Sequence, residues 1–164
     1  VWRAGALTPA GVGDGDKGDI TVSSGGTVWT IDNGVVTPAK ASDALKTVAI
    51  GAAFDGGGAA DAAGSKAYVR VPFACTITSA TLLADLSGSA VVDVWVDTYA
   101  NYPPTVADTI TASAKPTISS AIKSEDTTLT GWTTSVAAGS IVAFNVDSCS
   151  TCTKLNVQLK VVKT

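Results

Sequence analysis

The residue types best suited to chemistry form an aromatic and acidic group in the second half of the chain. Aromatic faces stack on the apolar C–H faces of sugar rings, while carboxylate and amide oxygens accept hydrogen bonds from sugar hydroxyls. The alternative stays open that these aromatics fill the core or an interface between protomers, because large aromatic side chains are mostly buried. The candidate ligand-binding residues are Asp93, Trp95, Asp97, Tyr99, Asn101, Tyr102 and Trp132.

Paired carboxylates can also hydrolyse a glycosidic bond, but the spacing here does not favour that reaction. Asp93 and Asp97 lie on one predicted strand, which separates them by roughly 13 Å. Retaining and inverting glycosidases both hold their two carboxyl groups closer together than this. The chain also contains no histidine, which removes the usual general base and the Ser-His-Asp and Cys-His triads. The sequence therefore predicts a protein that is not an enzyme.

Metal and cofactor motifs are incomplete. The acidic run over residues 14–19 begins like a calcium-binding loop, but Gly25 stands where the loop needs a glutamate. Cys149 and Cys152 have the spacing of a zinc knuckle, yet no second ligand pair completes a tetrahedral site. We interpret them as incidental cysteines in a turn, with a local disulfide as the alternative. No metal and no cofactor are expected.

The overall charge and hydropathy exclude two classes of partner. A net charge of −3 leaves no basic stripe to neutralise phosphates, so neither nucleic acid nor an anionic membrane surface is an expected partner. No run reaches about 18 consecutive apolar residues, so no membrane insertion is predicted. The first residues show no basic region followed by an apolar run, so no signal peptide is expected in this sequence.

The elements that position the candidate residues are predicted to be strands. Between residues 50 and 164, short runs rich in Val, Ile and Thr are bounded by Gly, Pro, Asp and Ser clusters. This spacing favours an all-β, two-sheet sandwich of jelly-roll type. The predicted strands are Ala67–Val71, Thr76–Leu83, Ala90–Thr98, Thr109–Ala114, Thr127–Thr130, Ser140–Val146 and Leu155–Val162.

The residues before this domain predict a short hairpin and a short helix. Glycines in residues 23–26 indicate a hairpin turn, and Thr37 followed by Pro38 indicates a helix start, with the helix running to about Leu45. Neither element has enough apolar surface for a core of its own. A threefold bundle would bury that surface; a helix folded back onto its own domain is the open alternative. We therefore predict a trimerising stalk over residues 1–49 and a β-sandwich tip over residues 50–164.

Two groups of motifs resemble those of phage tail-fibre proteins. Gly18–Ser23, followed by Thr27–Gly34 and Val36–Lys40, resembles a segment that stands just before the distal module of such fibres. The resemblance covers most of the chain, from about Gly15 to its end. The second group is similar to C-terminal modules of tail fibres and related virion proteins, and it consists of Val71–Thr78, Asp93–Asp108, Leu129–Thr133 and Phe144–Asp147.

This resemblance implies a homotrimer in the virion, with a short stalk and a β-rich tip that faces outward and binds a host cell-surface glycan or protein receptor. Glycan recognition is the favoured mechanism, because three weak tips on one fibre bind far better than one. The resemblance supplies no catalytic residues. The alternative is a purely structural virion component, such as a neck, head or tail decoration, that binds neighbouring virion proteins.

Overall fold

The computed structural model describes residues 13–37 and 39–164, and the chain divides into two compact units, Val1–Ala41 and Ser42–Thr164. The described residues are mostly in strands, which confirms the all-β prediction. The helix start predicted at Pro38 and the first twelve residues of the predicted stalk lie outside the described residues. Over the described ranges, none of the helices combines the length and the apolar character that crossing a membrane would need.

The first unit contains a small antiparallel sheet. The predicted hairpin is present, with its turn at residues 24–27, where Gly25 and Gly26 have φ values of 67° and 82°. Glycine adopts this left-handed region without steric cost. The sheet has the order β1 (Gly15–Asp16), β2 (Ile20–Ser23) and β3 (Val28–Ile31).

The acidic run of this unit stabilises turns. The Asp14 carboxylate accepts hydrogen bonds from the backbone N–H groups of Gly25 and Gly26, both at 3.1 Å. Asp16 accepts one from the backbone N–H of its own turn at 2.6 Å, and Asp19 forms an ion pair with Lys40. Hydrogen bonds within the turns and the ion pair with Lys40 therefore give these three carboxylates a structural role.

The helix is shorter than predicted. In the described part of the predicted helix, α-helix is found only at its end, in α1 (Asp43–Lys46), and β4 (Thr47–Asp55) follows it directly. Residues 39 and 40 form a turn, in which the N–H of Lys40 donates to the Thr37 carbonyl at 2.9 Å. From Thr47 onward, β-branched residues favour an extended strand. The strand thus begins before the domain boundary that the sequence placed between residues 49 and 50.

The second unit is built on one seven-stranded antiparallel sheet. Its main path runs in the order β4-β10-β6-β9-β5, and two further strands, β7 and β8, pair with β6. The strands after β4 are β5 (Lys66–Arg70), β6 (Cys75–Asp97), β7 (Thr117–Asp126), β8 (Ser135–Val136), β9 (Ile141–Ser150) and β10 (Lys154–Lys163).

The 23-residue strand β6 joins the two layers of the fold. Its first part, from Cys75 to Ala84, pairs with β10, and its second part, from Ser89 to Asp97, pairs with β9. At Gly88, between the two parts, the register with β7 shifts. A Cβ at Gly88 would lie 2.2 Å from the Ser150 carbonyl oxygen. The sheet curls here into a sandwich-like arrangement, as predicted.

The core lies between the two layers. Val92 and Val94 of β6 and Phe144 of β9 are each fully buried, because alternate residues of a strand share one face. Apolar residues of the other layer pack against them. The largest of these buried side chains are Leu82, Leu155 and Leu159. Ile118 of β7, which pairs with Ala90 in the second part of β6, is also buried.

Two predicted strands are wrong. Thr109–Ala114 makes only an isolated bridge, between Thr109 and Trp95. Thr127–Thr130 is a turn in which the Asp126 carboxylate accepts the backbone N–H of Leu129 at 3.1 Å. The strand beside it, β7, was not predicted, because Ser, Lys and Glu interrupt its apolar pattern.

The cysteines of the last hairpin are paired. Cys149 and Cys152 form a disulfide across the turn between β9 and β10, which is the alternative that the sequence left open. Cys75 is a free, buried thiol, and burial raises its pKa. The disulfide lies beside Asp85, whose carboxylate accepts the backbone N–H groups of Thr153 and Lys154 at 2.9 Å.

Candidate functional site

The candidate site lies on the outer face of the layer formed by β5, β9 and the second part of β6. Directly paired residues in neighbouring strands share a face. On this layer, one face meets the core through Val94 and Phe144, and the other carries most of the candidate residues. The outer face has three rows across the strands: Lys66, Asn145 and Asp93; Tyr68, Ala143 and Trp95; and Arg70, Ile141 and Asp97.

The segment between β6 and β7, residues 98–116, extends the edge of this layer and returns over the outer face. The backbone N–H of Ile110 donates to the Val94 carbonyl at 2.9 Å, which fixes the segment alongside β6. Thr105 and Asp108 close one of its short turns as a reciprocal capping box, with a 2.8 Å bond from the Thr105 N–H. Under this cover Trp95 is only 6% exposed.

Three tyrosines, Tyr68, Tyr99 and Tyr102, form an exposed group on this face, which we call the tyrosine patch. Their exposed fractions are 39%, 64% and 52%. The rings of Tyr68 and Tyr102 meet edge to face, with centroids 5.2 Å apart and planes at 68°. The Arg70 guanidinium carbon lies 4.9 Å from the centre of the Tyr99 ring. A strand and a loop therefore present aromatic faces together to solvent.

Polar groups suited to hydroxyl recognition lie at the base of the loop that carries Tyr99 and Tyr102. The Asp97 carboxylate accepts the Thr98 N–H at 2.6 Å and the Asn101 side-chain amide at 3.2 Å. Asn101 is exposed and Asp97 is half-buried. These two candidate residues are thus brought together with the exposed tyrosines, as a sugar-binding surface requires.

Asp93 does not belong to that surface. Its side chain is fully buried, and its Oδ1 accepts hydrogen bonds from Thr109 at 2.7 Å and Thr111 at 2.8 Å. Its Oδ2 lies 3.0 Å from Nζ of Lys115, which also contacts Asp147 at 2.7 Å. We call this network the Asp93 anchor. It ties residues 109–115 to β6 and so fixes the end of the loop that carries the patch.

The Asp93 anchor shifts two pKa values in opposite directions. Burial alone would raise the pKa of Asp93, but hydrogen bonds, with Thr109 first among them, lower it below its ordinary value. The pKa of Lys115 is raised, first by its hydrogen bond to Asp147 and next by that to Asp93. Both groups stay charged near neutral pH, and a carboxylate so occupied is poorly placed to transfer protons.

The structure separates the two candidate tryptophans from the exposed patch. Trp95 is buried beneath the outer face, with Nζ of Lys66 5.6 Å from its ring centre. Trp132 is half-buried, packs against the core, and donates its indole N–H to the Ala114 carbonyl at 2.8 Å. Trp132 therefore packs against the core and Trp95 is covered by residues 98–116, whereas Tyr99 and Tyr102 are exposed.

The contribution of β5 to this face was not predicted from the sequence. Its residues Lys66, Tyr68 and Arg70 alternate with Ala67 and Val69, which face inward. That alternation predicts a strand, but the sequence does not show which strand pairs with β5. Only the register through β9 brings these side chains next to the predicted candidates.

Two clefts elsewhere in the second unit are weaker candidates for a binding site than the tyrosine patch. A cleft of about 300 Å³ is lined by residues 53–55, 83–85 and 154–156. A second cleft, of about 320 Å³, is lined by residues of β6 and β7, among them Lys123 and Glu125. Neither includes a residue of the tyrosine patch.

Comparison with protein-family models, with curated proteins and with solved structures gives no match to this chain.

Proposed function

We propose that this chain is a non-enzymatic, homotrimeric virion fibre protein of the tail-fibre kind, and that it attaches the particle to its host by binding a cell-surface glycan. The observation that carries the proposal is the tyrosine patch, in which Tyr68 and Tyr102, in edge-to-face contact, and Tyr99, packed on Arg70, expose their rings. Contiguous exposed apolar groups of this kind mark interaction and ligand-binding sites.

The chemistry of the patch suits a saccharide. A pyranose ring has an apolar C–H face that stacks on a phenol ring and hydroxyls that need polar partners. Asp97 and Asn101 supply an acceptor and an amide at the edge of the rings. Tyrosine provides this contact area at low entropic cost, because it has few rotatable bonds.

A single shallow patch of this size binds weakly, so the proposal includes the trimer. Three copies on one fibre engage a glycan-coated surface together, and the effective affinity rises by orders of magnitude without any new contact. The motif resemblance to tail fibres, from about Gly15 to the end of the chain, supports both the trimer and the outward-facing position in the virion.

The experiment is a glycan-array screen of the purified chain, followed by titration of the best ligand. The double variant Tyr99→Ala/Tyr102→Ala is expected to lose at least about tenfold in affinity, since stacked aromatic contacts are each worth about 1 kcal/mol. Ile122→Ala, which truncates an exposed apolar residue on β7, is the matched control and should bind normally. A folded wild-type chain that binds no glycan would refute the proposal.

A second candidate is a purely structural virion component that binds neighbouring virion proteins. The observation in its favour is the first unit, where β3 exposes Val28, Trp29 and Ile31, with exposed fractions of 47%, 54% and 62%. Such a strand is suited to cover by another chain. Light scattering distinguishes self-association from binding to a different virion protein. If the chain forms a stable trimer and the double variant Trp29→Ala/Ile31→Asp dissociates it, this strand serves self-association.

A further inference from the structure

Two cations on β5, Lys66 and Arg70, lie beside the aromatic residues of the outer face. Neither is paired with a carboxylate in the described part of the chain. The ion pairs found there are made by other lysines, namely Lys40, Lys46, Lys115 and Lys154. In a chain whose net charge is −3, two unpaired cations at the edge of an exposed aromatic patch need an explanation.

The geometry leaves both cations accessible to a ligand. The guanidinium carbon of Arg70 lies 4.9 Å from the ring centre of Tyr99, which orients the guanidinium while its N–H donors remain available to an anion. Lys66 donates to the Gly64 carbonyl at 3.0 Å, and its side chain is exposed. An ammonium can donate three hydrogen bonds, so this single bond leaves donors for a bound group.

The nearby carboxylate does not cancel this charge. Asp97 shares a row with Arg70, but Ile141 of β9 lies between them. Neighbouring strands are about 4.8 Å apart, so the two backbones are separated by roughly 10 Å. Asp97 is also engaged by the Thr98 N–H and the Asn101 amide. Arg70, at the cationic end of the patch, and Asp97, at the acidic end, therefore contact different parts of a ligand.

We infer that the glycan bound at the tyrosine patch is anionic, and that Arg70 binds its carboxylate or sulfate group while a sugar ring stacks on the tyrosines. This inference rests on the proposed function and adds the substrate class. Guanidinium matches a planar carboxylate with two parallel N–H···O bonds. Lys66, four residues away on the same face, meets a second anionic group of a repeating acidic polymer.

The test uses the full chain and two oligosaccharides that differ only at the acidic group, a uronic acid oligomer and its carboxyl-reduced, neutral counterpart. A charge-assisted bidentate contact predicts that the acidic form binds about tenfold tighter or more. Arg70→Gln should remove most of that preference, with Lys66 retaining the remainder. Lys123→Gln, which removes one exposed cation from β7, is the matched control and should keep the preference.

The outcomes separate this inference from the proposed function. Equal binding of both oligomers overturns the inference and leaves glycan binding intact, whereas binding of neither overturns the proposed function. Equal loss of preference in Lys123→Gln would assign the effect to net charge and overturn the role of Arg70. An acidic preference that is unchanged in Arg70→Gln would also overturn it, because the anionic group would then be bound by another residue.

A sulfated oligomer tested beside the uronic acid oligomer identifies the anion. Arg70→Lys keeps the charge but loses the bidentate fork. If a carboxylate is bound, this variant weakens binding of the uronic acid oligomer more than of the sulfated one, and the reverse holds if a sulfate is bound. Raising the salt concentration should reduce the acidic preference, because an exposed ion pair is screened; a preference that does not change with salt would contradict ionic recognition.

Discussion

The ammonium nitrogen of Lys115 lies 3.0 Å from Oδ2 of Asp93, a carboxylate whose side chain is 1% exposed. This pair is the centre of the Asp93 anchor, and it joins the loop that follows β6 to the strand itself. A buried carboxylate needs such partners, because an unpaired charge in the interior is strongly destabilising. Asp93 therefore stabilises the fold and also fixes the end of the loop that carries Tyr99 and Tyr102.

The first prediction concerns Asp93→Asn. The substitution removes the charge that Lys115 pairs with and replaces an acceptor of the Thr109 and Thr111 hydroxyls, so we expect it to lower the free energy of unfolding by about 1–3 kcal/mol. Urea denaturation measures this. Asp43→Asn, at a side chain that is 78% exposed, should change stability by less than about 0.5 kcal/mol; an equal loss in both variants would contradict the anchor.

The second prediction concerns pH. Because the pKa of Asp93 is lowered in the folded state, the unfolded chain takes up a proton first as the pH falls. The stability that Asp93 contributes is therefore fully present above the ordinary aspartate pKa and is lost as the pH falls through its lowered, folded value. The difference in unfolding free energy between wild type and Asp93→Asn should shrink as the solution is acidified. A difference that grew at low pH would contradict the assigned shift.

The third prediction concerns Asp85. Its hydrogen bond from the Thr153 hydroxyl, together with the backbone N–H groups of Lys154 and Thr153, lowers its pKa to about 2. NMR titration of the side-chain carboxyl carbon should place its midpoint there. Thr153→Val removes the hydroxyl, which is the largest cause, and should raise the midpoint towards the ordinary aspartate value. An unchanged midpoint in the variant would show that the backbone donors alone set the pKa.

The fourth prediction concerns Gly88. An added methyl group would meet the Ser150 carbonyl oxygen and the Thr151 hydroxyl, both at 2.2 Å. The backbone must shift to relieve this, so we expect Gly88→Ala to lower the free energy of unfolding by about 1–3 kcal/mol. Gly13→Ala, where no atom of the described residues lies within 4 Å of the new Cβ, is the control and should unfold like the wild type.

The fifth prediction concerns the disulfide between Cys149 and Cys152, which closes a loop of very few residues. In the chain-entropy account, such a short loop stabilises the fold by only about 2 kcal/mol. Urea denaturation with and without a reducing agent measures the difference, with Cys75→Ala used throughout to remove the free thiol. A loss well above this value would mean that the hairpin end needs the bond to fold.

The strands that were predicted correctly have strong alternation. In Lys154–Lys160, apolar Leu155, Val157 and Leu159 alternate with polar residues, and β10 is found there with those three residues buried. The sequence placed a break within β6, where Leu86, Ser87 and Gly88 resemble a loop. The strand nevertheless continues through them and joins the part of β6 that pairs with β10, up to Ala84, to the part that pairs with β9, from Ser89.

The candidate site was predicted in part for a similar reason. Tyr99, Asn101 and Tyr102 are close in sequence and share a loop, so local pattern sufficed to group them. Trp95 and Asp93 were candidates for the same site, and both are buried beneath the same segment. The fold of residues 98–116 over the sheet is a long-range arrangement that periodicity does not describe. The same limit hid Tyr68 and Arg70, which reach the site only through strand register.

The shared strand β6 has a consequence for how this domain can exchange parts with others. Because its first part pairs with β10 and its second with β9, both layers lose hydrogen bonds when this one strand is disrupted. The slowest amide protons of both layers should therefore exchange with one common opening energy. A recombination crossover within β6 would break both layers at once, whereas a pair of crossovers on either side of residues 98–108 would exchange the loop that carries Tyr99 and Tyr102 and keep every strand of the sheet.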